Sequence, residues 1–379
     1  MVKTKKTLIV VKSIDGGTGT FLLNFLSIQK EVGCNSKTLI LEKPTYRFFK
    51  TKQNIEFLRD SSYYPLKYSI TISNFINFIS EVFWVKRHIA EYRPQVVLGV
   101  DLRCNLLILI CKILFYQKVK IITTNHINLD ETIYAKSTNI LGAVLRILIG
   151  LFYRKADATV AVSKELSESL KENYKLRKNV CTIYNGIDIK KLSCRTIGKS
   201  KNRAVFVTVA RLGEQKDFKT LILAFKLVHK KLKKPQLWLV GDGPEKEEIK
   251  KLIKLLGLEN SVFLKGWFQN VQTILKKSDV FVFSSKREGF GYVLIEAMLE
   301  GLPIISTNTR YGPSEILDNG RYGILVPVGN VQRLAQSMLR VLDGKIYSCF
   351  SKKSIERAKY FSIKRMTVGY KKLFDKIMH

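Results

Sequence analysis

Two carboxylates, Glu288 and Glu296, stand eight positions apart in the segment REGFGYVLIEAM, which follows a short apolar run. Gly289 and Gly291 lie between them, so the pattern predicts a tight turn that opens a helix and presents free N–H groups there. Glu288 then lies on the loop, and Glu296 lies one turn into the helix. Because a carboxylate accepts hydrogen bonds from both hydroxyls of a vicinal diol, the pair is suited to a ribose and a hexose. A capped helix with a solvated glutamate is the alternative.

Two cations are placed in the segment VARLGEQKDFKTLILAF. Arg211 stands just past the end of a predicted strand, and Lys216 stands close to the start of the next helix. Both therefore belong to the carboxyl edge of a sheet, where α/β folds bind ligands. Fixed cations there can hold a diphosphate and stabilise the charge that grows on it as it leaves. The alternative, in a chain with 65 lysines and arginines, is that Arg211 and Lys216 are ordinary surface cations that bind no ligand.

A glycine-rich loop, IDGGTGTFLLNF, follows the first predicted strand and opens a helix. Gly16 and Gly17 can present backbone N–H groups to a phosphate. Glu42 ends the second strand, where a ribose-binding acid stands in dinucleotide folds. The stretch GTGTFL lacks the third Gly or Ala of the dinucleotide fingerprint, however. A nicotinamide-dependent oxidoreductase is therefore the weaker alternative for this loop.

His126 lies just past another strand, in KIITTNHINLD, with Asn125 and Asn128 as neighbouring groups that can hydrogen-bond a sugar. The alternative is that His126 has only a structural role.

No Asp-x-Asp pair occurs in the sequence, so the carboxylates that usually hold a divalent ion on a nucleotide-sugar are missing. We therefore expect neither a metal nor a cofactor. The six cysteines form no CxxC pair, which favours reduced thiols in a cytoplasmic protein.

The formal net charge of +34 attracts anions: nucleic acid, an anionic membrane surface or phosphorylated small molecules. No RRM, KH, helix-turn-helix or zinc-finger pattern accompanies the charge, so a nucleic-acid-binding protein is a remote alternative. The most apolar stretches, 106–116 and 140–152, are shorter than the ~20 residues that cross a bilayer. Either stretch can still form a helix that lies on a membrane surface.

Strand-like apolar runs alternate with helical patterns along the whole chain, which predicts parallel sheets with crossover helices. The pattern restarts after Asn185–Asp188. We predict an N-terminal Rossmann-like domain at 1–186, a second at 187–360, and a C-terminal helix at 361–379 that returns to the first domain. A cleft between two such domains is a natural ligand site. Strands are predicted at 8–11, 38–41, 96–100, 119–123, 158–162, 204–210, 237–240, 262–264, 280–283, 304–306 and 323–326.

At these motifs the sequence resembles the family-four, or group 1, retaining glycosyltransferases. The likeness covers the second domain in order, through the two-glutamate motif, VARLGEQKDFKTLILAF, WLVGDGPEKEEI, FLKGWFQNV and YGPSEILDNGRYGILVPVGN. It is looser in the first domain, where DGGTGT, NHINLD and FYRKADATVAVSKEL match. The resemblance implies the GT-B fold, an α/β architecture in which two doubly wound, Rossmann-like parallel-sheet domains face each other across a cleft.

The resemblance also implies a role for each site residue. Glu296 would bind the ribose of the donor, and Arg211 with Lys216 would hold its diphosphate. Glu288 would engage the transferred sugar together with the backbone of three neighbours, Gly289, Phe290 and Gly291. From the first domain, Gly16 and Gly17 would approach phosphate, and His126 would contact the sugar near its 6-position. The stretch around Gly266 would lie beside the base.

Retention of configuration by front-side displacement is implied too, with a UDP-sugar as donor and a glycan or polyprenyl-diphosphate lipid as acceptor. That chemistry belongs to surface polysaccharide, lipopolysaccharide or glycolipid synthesis; a GDP-mannose-dependent enzyme of the same fold is the alternative. An acceptor in a membrane favours peripheral attachment to the anionic inner face of the cytoplasmic membrane. The candidate contacts are the cations Lys43, Arg47, Lys50, Lys52, Lys86, Arg87, Arg146, Arg154 and Lys155, with the aromatics Phe48, Phe49, Tyr63 and Tyr64.

Overall fold

A computed structural model describes residues 4–14, 16–42, 55–58, 72–116, 118–130, 139–189 and 203–378. The chain divides into two compact units: unit 1 comprises Met1–Gly186 with Ile363–His379, and unit 2 comprises Ile187–Ser362. Several predicted membrane contacts lie outside the described residues, namely Lys43, Arg47, Phe48, Phe49, Lys50, Lys52, Tyr63 and Tyr64. Among the described helices, none is long and apolar enough to span a membrane.

The described part of unit 1 contains a parallel seven-stranded sheet in the order β3-β2-β1-β4-β5-β6-β7. Its central strands are buried except at the first residues of β1 and β5, because helices cover both faces of a parallel sheet. The strands are β1 Lys5–Val11, β2 Cys34–Ile40, β3 Ile55–Phe57, β4 Val96–Val100, β5 Lys120–Asn125, β6 Ala158–Ala161 and β7 Val180–Thr182.

Helices cover this sheet in two layers. The helices are α1 Gly17–Val32, α2 Ile72–Tyr92, α3 Asp101–Leu114, α4 Asn139–Tyr153, α5 Lys164–Asn173 and a C-terminal helix, Ile363–Met378. The C-terminal helix packs against α1, whereas α3 packs against both α2 and α4. Since crossovers between parallel strands are right-handed, the reversal of strand order at β1 places α2, α3 and α4 on the sheet face opposite α1.

The described part of unit 2 has a parallel six-stranded sheet in the order β10-β9-β8-β11-β12-β13. Its strands are β8 Val205–Val209, β9 Gln236–Val240, β10 Val262–Gly266, β11 Val280–Phe283, β12 Ile304–Thr307 and β13 Ile324–Val326. Its helices are α6 Phe218–His229, α7 Lys246–Leu255, α8 Gln272–Leu275, α9 Tyr292–Leu299, α10 Pro313–Ile316, α11 Val331–Arg340 and α12 Gly344–Tyr360, with a 3-10 turn at Glu214–Lys216. A fully buried aromatic cluster of Phe206, Phe218 and Phe225 anchors α6 to the sheet. The predicted class, two doubly wound α/β domains, is confirmed.

Candidate active site

The segment between β11 and α9 forms the turn that the glycine spacing predicts. Gly291 adopts φ +94°, a left-handed conformation that a side chain would strain, and α9 begins at the next residue. A Cβ on Gly291 would also approach Leu294 to 3.1 Å. The turn leaves Glu288 on the loop and carries Glu296 into the second turn of α9.

Glu288 and Lys216 form an ion pair, with 2.5 Å between Glu288 Oε2 and Lys216 Nζ. Their side chains retain only 14% and 20% of their exposure, so solvent screens this pair weakly. Lys216 Nζ also stands 5.2 Å from the centre of the Phe283 ring, and the Ser285 hydroxyl donates to Glu288 at 3.5 Å. The sequence placed these two charges in separate roles; the structure brings them together.

Hydrogen bonds between two loops fix the position of Lys216. The Gln215 side chain donates to the Arg287 carbonyl at 2.7 Å, and the Lys286 N–H donates to the Gln215 carbonyl at 2.8 Å. The Ser284 hydroxyl donates to the Lys216 carbonyl at 2.8 Å. The backbone at Gln215 and Lys216 is therefore fixed against the segment 284–287. A charge that is fixed in advance is what electrostatic stabilisation of a transition state requires.

Glu296 is a partly buried carboxylic acid on α9, and no side chain in the described ranges forms an ion pair or hydrogen bond with it. Burial raises the pKa of Glu296 to about 7. A fully solvated glutamate would keep an ordinary pKa, and the partial burial of Glu296 distinguishes it from such a residue. The carboxyl oxygens are available to accept hydrogen bonds from a diol.

Arg211 follows β8 with an exposed side chain that meets no acid within the described part of unit 2. Its backbone is closely approached by the turn after β9: a Cβ on Gly241 would lie 1.9 Å from the Ala210 carbonyl oxygen, and one on Gly243 would lie 2.4 Å from that of Leu212. Gly241 also has φ +138°. Only glycine fits these two positions, so both glycines support the loop that carries Arg211.

Gly266 ends β10 with φ +72°, and its carbonyl accepts the Gly241 N–H at 2.8 Å. Because β10, β9, β8 and β11 are consecutive neighbours, the carboxyl ends of these four strands share one sheet edge. Gly266, Arg211, Lys216 and Glu288 therefore lie along that edge, as the strand assignments predict. Beside it, the Lys265 ammonium stands 4.7 Å from the centre of the Trp238 ring.

In unit 1, Gly16 and Gly17 lie exposed at the start of α1. Gly16 has φ +65°, and among the described residues no side chain caps the first turn of the helix. Gly19 is packed closely, since a Cβ there would lie 1.9 Å from the Ile14 carbonyl oxygen. The open N–H groups of this first turn suit an anion, which is the property the sequence predicts.

His126 follows β5 and is 8% exposed. Its ring lies 4.4 Å from the ring of Phe21, and its buried Nε2 has no hydrogen-bond partner among the described residues. Burial lowers the pKa of His126, so the imidazole is neutral at pH 7. A neutral imidazole with one free nitrogen can donate to or accept from a hydroxyl group.

Asp101, which the sequence analysis missed, connects the elements around His126. Its carboxylate accepts the His126 N–H at 3.2 Å and the Thr18 hydroxyl at 3.4 Å. Its own φ of +67° marks a locally strained turn after β4. The available signal was a carboxylate directly after a buried strand, but nothing in the sequence showed that the chain turns back there.

Two family descriptions match adjacent stretches of the chain. "Glycosyl transferases group 1" matches residues 190–360, and "Glycosyltransferase Family 4" matches residues 16–191. An undecaprenol-linked 4-α-N-acetylgalactosaminyltransferase of Campylobacter jejuni is 31% identical over 251 residues, 65% of this chain and 67% of its own. The chain is a group 1 glycosyltransferase. The resemblance seen in its motifs is thereby confirmed.

Two further relatives cover nearly the whole glycosyltransferase. An uncharacterised glycosyltransferase of Methanocaldococcus jannaschii is 26% identical over 382 residues, 90% of this chain and 92% of its own. The crystal structure of Anabaena HepE with UDP and glucose superposes with a TM-score of 0.75 at 17% identity, covering 98% of this chain and 100% of HepE. These likenesses confirm the GT-B fold.

The described residues of the glycosyltransferase include no group of three or more His, Cys, Asp or Glu side chains placed to hold a metal ion. The predicted site residues fall into two sets. Arg211, Lys216, Gly266, Glu288 and Glu296 belong to unit 2, whereas Gly16, Gly17 and His126 belong to unit 1.

Proposed function

We propose that this glycosyltransferase moves a hexose-type sugar from a UDP-sugar to a glycan or lipid-linked acceptor, with retention of configuration and without a divalent metal ion. The observation that carries this proposal is the placement of Lys216. This cation is held by hydrogen bonds between two loops and by the ion pair with Glu288, at the sheet edge that also bears Arg211. A fixed positive charge at that edge suits a diphosphate leaving group.

The bond that breaks joins the anomeric carbon of the sugar to a β-phosphate oxygen, which leaves with the electron pair. The acceptor hydroxyl oxygen attacks the anomeric carbon from the same face, and its proton passes to the departing phosphate. Lys216 and Arg211 stabilise the negative charge on that phosphate as it develops. Because no enzymic nucleophile takes part, retention follows from front-side attack.

The remaining residues position the donor in this proposal. Glu296, with its unengaged carboxyl group, accepts the ribose hydroxyls. Glu288 and the backbone of Gly289, Phe290 and Gly291 hold the transferred sugar, and Gly266 adjoins the base. In unit 1, the neutral His126 contacts a sugar hydroxyl, while Gly16 and Gly17 offer N–H groups to phosphate.

Uridine is the preferred base because HepE, of the same fold, was crystallised with UDP and glucose. A lipid-linked acceptor is preferred because the Campylobacter jejuni relative is named for a diphospho-undecaprenol substrate. These likenesses support a role in the synthesis of surface polysaccharide, lipopolysaccharide or glycolipid. A GDP-mannose donor fits the same residue roles and is the second candidate.

The proposal is tested by thermal shift against UDP, GDP, ADP and CMP, followed by transfer assays. We expect stabilisation by UDP above the other nucleotides. Lys216→Ala should weaken UDP binding. Glu288→Ala removes the partner of Lys216 but keeps the cation, so it should weaken UDP binding less than Lys216→Ala does and should abolish transfer. Lys219→Ala, an exposed cation on α6, is the matched control and should change neither. Full activity of both site variants would refute the assignment.

We further propose that the enzyme works in the cytoplasm, attached to the anionic inner face of the membrane through unit 1. Two of the predicted contacts are paired with acids, since Arg87 meets Glu91 at 2.7 Å and Arg146 meets Asp130 at 3.1 Å. Arg154 and Lys155 are exposed and better placed to meet lipid phosphates. Cosedimentation with anionic vesicles that weakens with salt supports this attachment; equal binding to neutral vesicles contradicts it.

A further inference from the structure

Helix α4 contacts both ends of the segment that carries His126. Before this residue, the Tyr153 hydroxyl donates a hydrogen bond to Oδ1 of Asn125 at 3.0 Å. After it, the Arg146 guanidinium meets Oδ1 of Asp130 at 3.1 Å. Arg146 and Tyr153 are two helical turns apart, about 10 Å along the axis, so they lie on the same face of α4. One helix face therefore holds the segment on both sides of the histidine.

The contact before the histidine belongs to a buried hydrogen-bond network. Asn105 of α3 is 0% exposed, and its amide nitrogen donates to the Tyr153 hydroxyl oxygen at 2.9 Å. Asn125 is 1% exposed and donates to the Val160 carbonyl at 3.4 Å. Burial raises the pKa of Tyr153, so its hydroxyl keeps the proton that it donates. Asn125, which the sequence suggested as a partner of a sugar, is therefore engaged inside the protein.

The contact after the histidine is centred on the carboxylate of Asp130, whose side chain is 16% exposed. Besides Arg146, this carboxylate accepts hydrogen bonds from the Tyr174 hydroxyl at 3.0 Å and from the Asn173 amide at 2.6 Å. The Asp130 N–H donates to the side-chain oxygen of the buried Asn128 at 2.7 Å. Because hydrogen bonds to a charged group are about twice as strong as neutral ones, this end of the segment is firmly fixed.

Gly150 lets α4 approach the end of α5, where the further partners of Asp130 lie. A Cβ on Gly150 would lie 3.0 Å from the Tyr174 carbonyl oxygen, which is closer than an ordinary contact. Gly150 comes one turn after Arg146 and one turn before Tyr153, so it lies on the face that holds the segment. The close approach thus brings α4 within reach of both ends of the segment.

Between these two ends, the position of the His126 ring is fixed. Its backbone N–H donates to Asp101 and its ring lies against Phe21, while the buried Nε2 has no hydrogen-bond partner among the described residues. Apolar packing alone would stabilise a loop, but hydrogen bonds between buried polar groups are directional and specify one geometry. A network of this kind is suited to holding a free nitrogen in one direction.

We propose that Tyr153 and Asp130 are positioning residues, which fix the direction of the His126 imidazole by holding the segment on either side of it. The inference rests on the proposed function, in which this imidazole contacts a sugar hydroxyl of the donor. In this account neither positioning residue touches the donor, since each acts through the segment. A displacement of about 1 Å can lower a rate by roughly 100-fold, so small movements of the ring have large effects.

The first test observes the imidazole itself and needs no substrate. Histidine is isotopically labelled in the full chain, and the NMR resonances of the His126 ring are assigned by their loss in His126→Ala. Tyr153→Phe removes the hydroxyl, and Asp130→Asn removes the charge but keeps the shape. Tyr347→Phe is the matched control, since Tyr347 of α12 is 8% exposed and its hydroxyl donates to the Asp279 carbonyl at 2.9 Å.

We expect Tyr153→Phe and Asp130→Asn to shift the ring resonances of His126, whereas Tyr347→Phe should leave them unchanged. Thermal unfolding of every variant shows whether the fold is intact. Unchanged His126 resonances in both site variants, with the fold intact, would overturn the proposal.

The second test is kinetic and follows release of UDP from UDP-glucose or UDP-N-acetylgalactosamine, whichever the wild type turns over. We expect Tyr153→Phe to lower kcat by about tenfold and to keep UDP affinity within about twofold of the wild type, because the proposed nucleotide contacts lie in unit 2. Added to His126→Ala, Tyr153→Phe should lower the residual kcat no further, since it then has no imidazole to position. A further tenfold loss in that background, on the order of the loss in the wild type, would show a role independent of His126 and would overturn the proposal.

Failure of the proposed function gives a different result. If His126→Ala turns over the donor at the wild-type rate, the role of His126 in the proposed function is wrong, whatever the ring resonances show. If His126→Ala is impaired while Tyr153→Phe and Asp130→Asn keep the wild-type rate, only the positioning by these two residues is wrong.

Discussion

In the proposed donor site, Glu296 links the stability of the free enzyme to its affinity for the donor. Burial without a partner raises the pKa of this carboxyl to about 7, against an ordinary value of 4.5. The folded state therefore favours the protonated acid, and its stability falls as pH rises from about 4.5 through 7. In the proposed site the ionised carboxylate is the form that accepts two ribose hydroxyls, so we expect binding of the donor to strengthen over the same pH range. In the proposed site, ionisation of Glu296 therefore lowers the stability of the free enzyme and strengthens its binding of the donor.

Glu296→Gln separates these two effects. We expect the variant to be more stable than the wild type at pH 8, by on the order of 2 kcal/mol, and to lose this advantage near pH 4.5. UDP affinity should fall and should no longer increase between pH 6 and 8. Chemical denaturation and calorimetric titration at several pH values measure both quantities. A variant with the stability and affinity profile of the wild type would contradict the role of Glu296.

Asp101 acts at the residue scale as a positioning group for His126, through the backbone N–H of that histidine and the hydroxyl of Thr18. Asp101→Ala should lower kcat by roughly 10- to 100-fold, because a displaced reacting group is costly. UDP affinity should hardly change. Asp101→Asn, which keeps an acceptor oxygen and tolerates the left-handed backbone, should recover much of the rate. Equal loss in both variants would argue against positioning through this acceptor.

At the scale of elements, the loops after four adjacent strands bring the donor-side residues to one edge. The turn after β9 supports the turn after β8, since Gly241 leaves no room for a side chain against Ala210. We expect Gly241→Ala to destabilise the protein by about 2–4 kcal/mol and to weaken UDP binding through displacement of Arg211. Gly213→Ala, where a Cβ meets nothing within 4 Å, is the control. Thermal unfolding of both variants measures the difference. Equal destabilisation by Gly241→Ala and Gly213→Ala would contradict the supporting role of Gly241.

Most elements could be predicted from the sequence, because parallel strands buried on both faces give unmistakable apolar runs, such as Val96–Val100 and Val280–Phe283. The edge strands Ile55–Phe57 and Val180–Thr182 were missed. Each has only three residues and a polar or partly exposed member, so neither shows an apolar run. The predicted strand positions sufficed to place Arg211, Lys216 and Glu288 at one edge.

Contacts between loops could not be predicted in the same way. The Glu288–Lys216 ion pair joins residues 72 positions apart, and no local pattern specifies which of many cations meets this acid. Asp101 was not predicted for a related reason. Its contacts with His126 and Thr18 depend on the reversal of the chain after β4. The chemistry of a single motif can be predicted from the sequence, whereas the contacts between motifs depend on the fold.

At the scale of the whole molecule, the net charge of +34 serves two different needs. Two cations at the sheet edge of unit 2, the hydrogen-bonded Lys216 and the exposed Arg211, face a diphosphate in the proposed reaction. Others, such as the exposed Arg154 and Lys155 of unit 1, are the cations that the proposed membrane attachment uses. The remaining lysines give the protein a long-range attraction for anions, such as the phosphorylated substrates proposed above, and salt reduces that attraction.

The central claim is that Lys216 and Arg211, and not a divalent ion, take up the negative charge released when the glycosyl bond breaks. Its most direct test is turnover of a UDP-sugar by the purified enzyme after exhaustive chelation, with and without added Mg²⁺ or Mn²⁺. We predict equal rates in all conditions. Loss of turnover on chelation that either metal restores would contradict the claim.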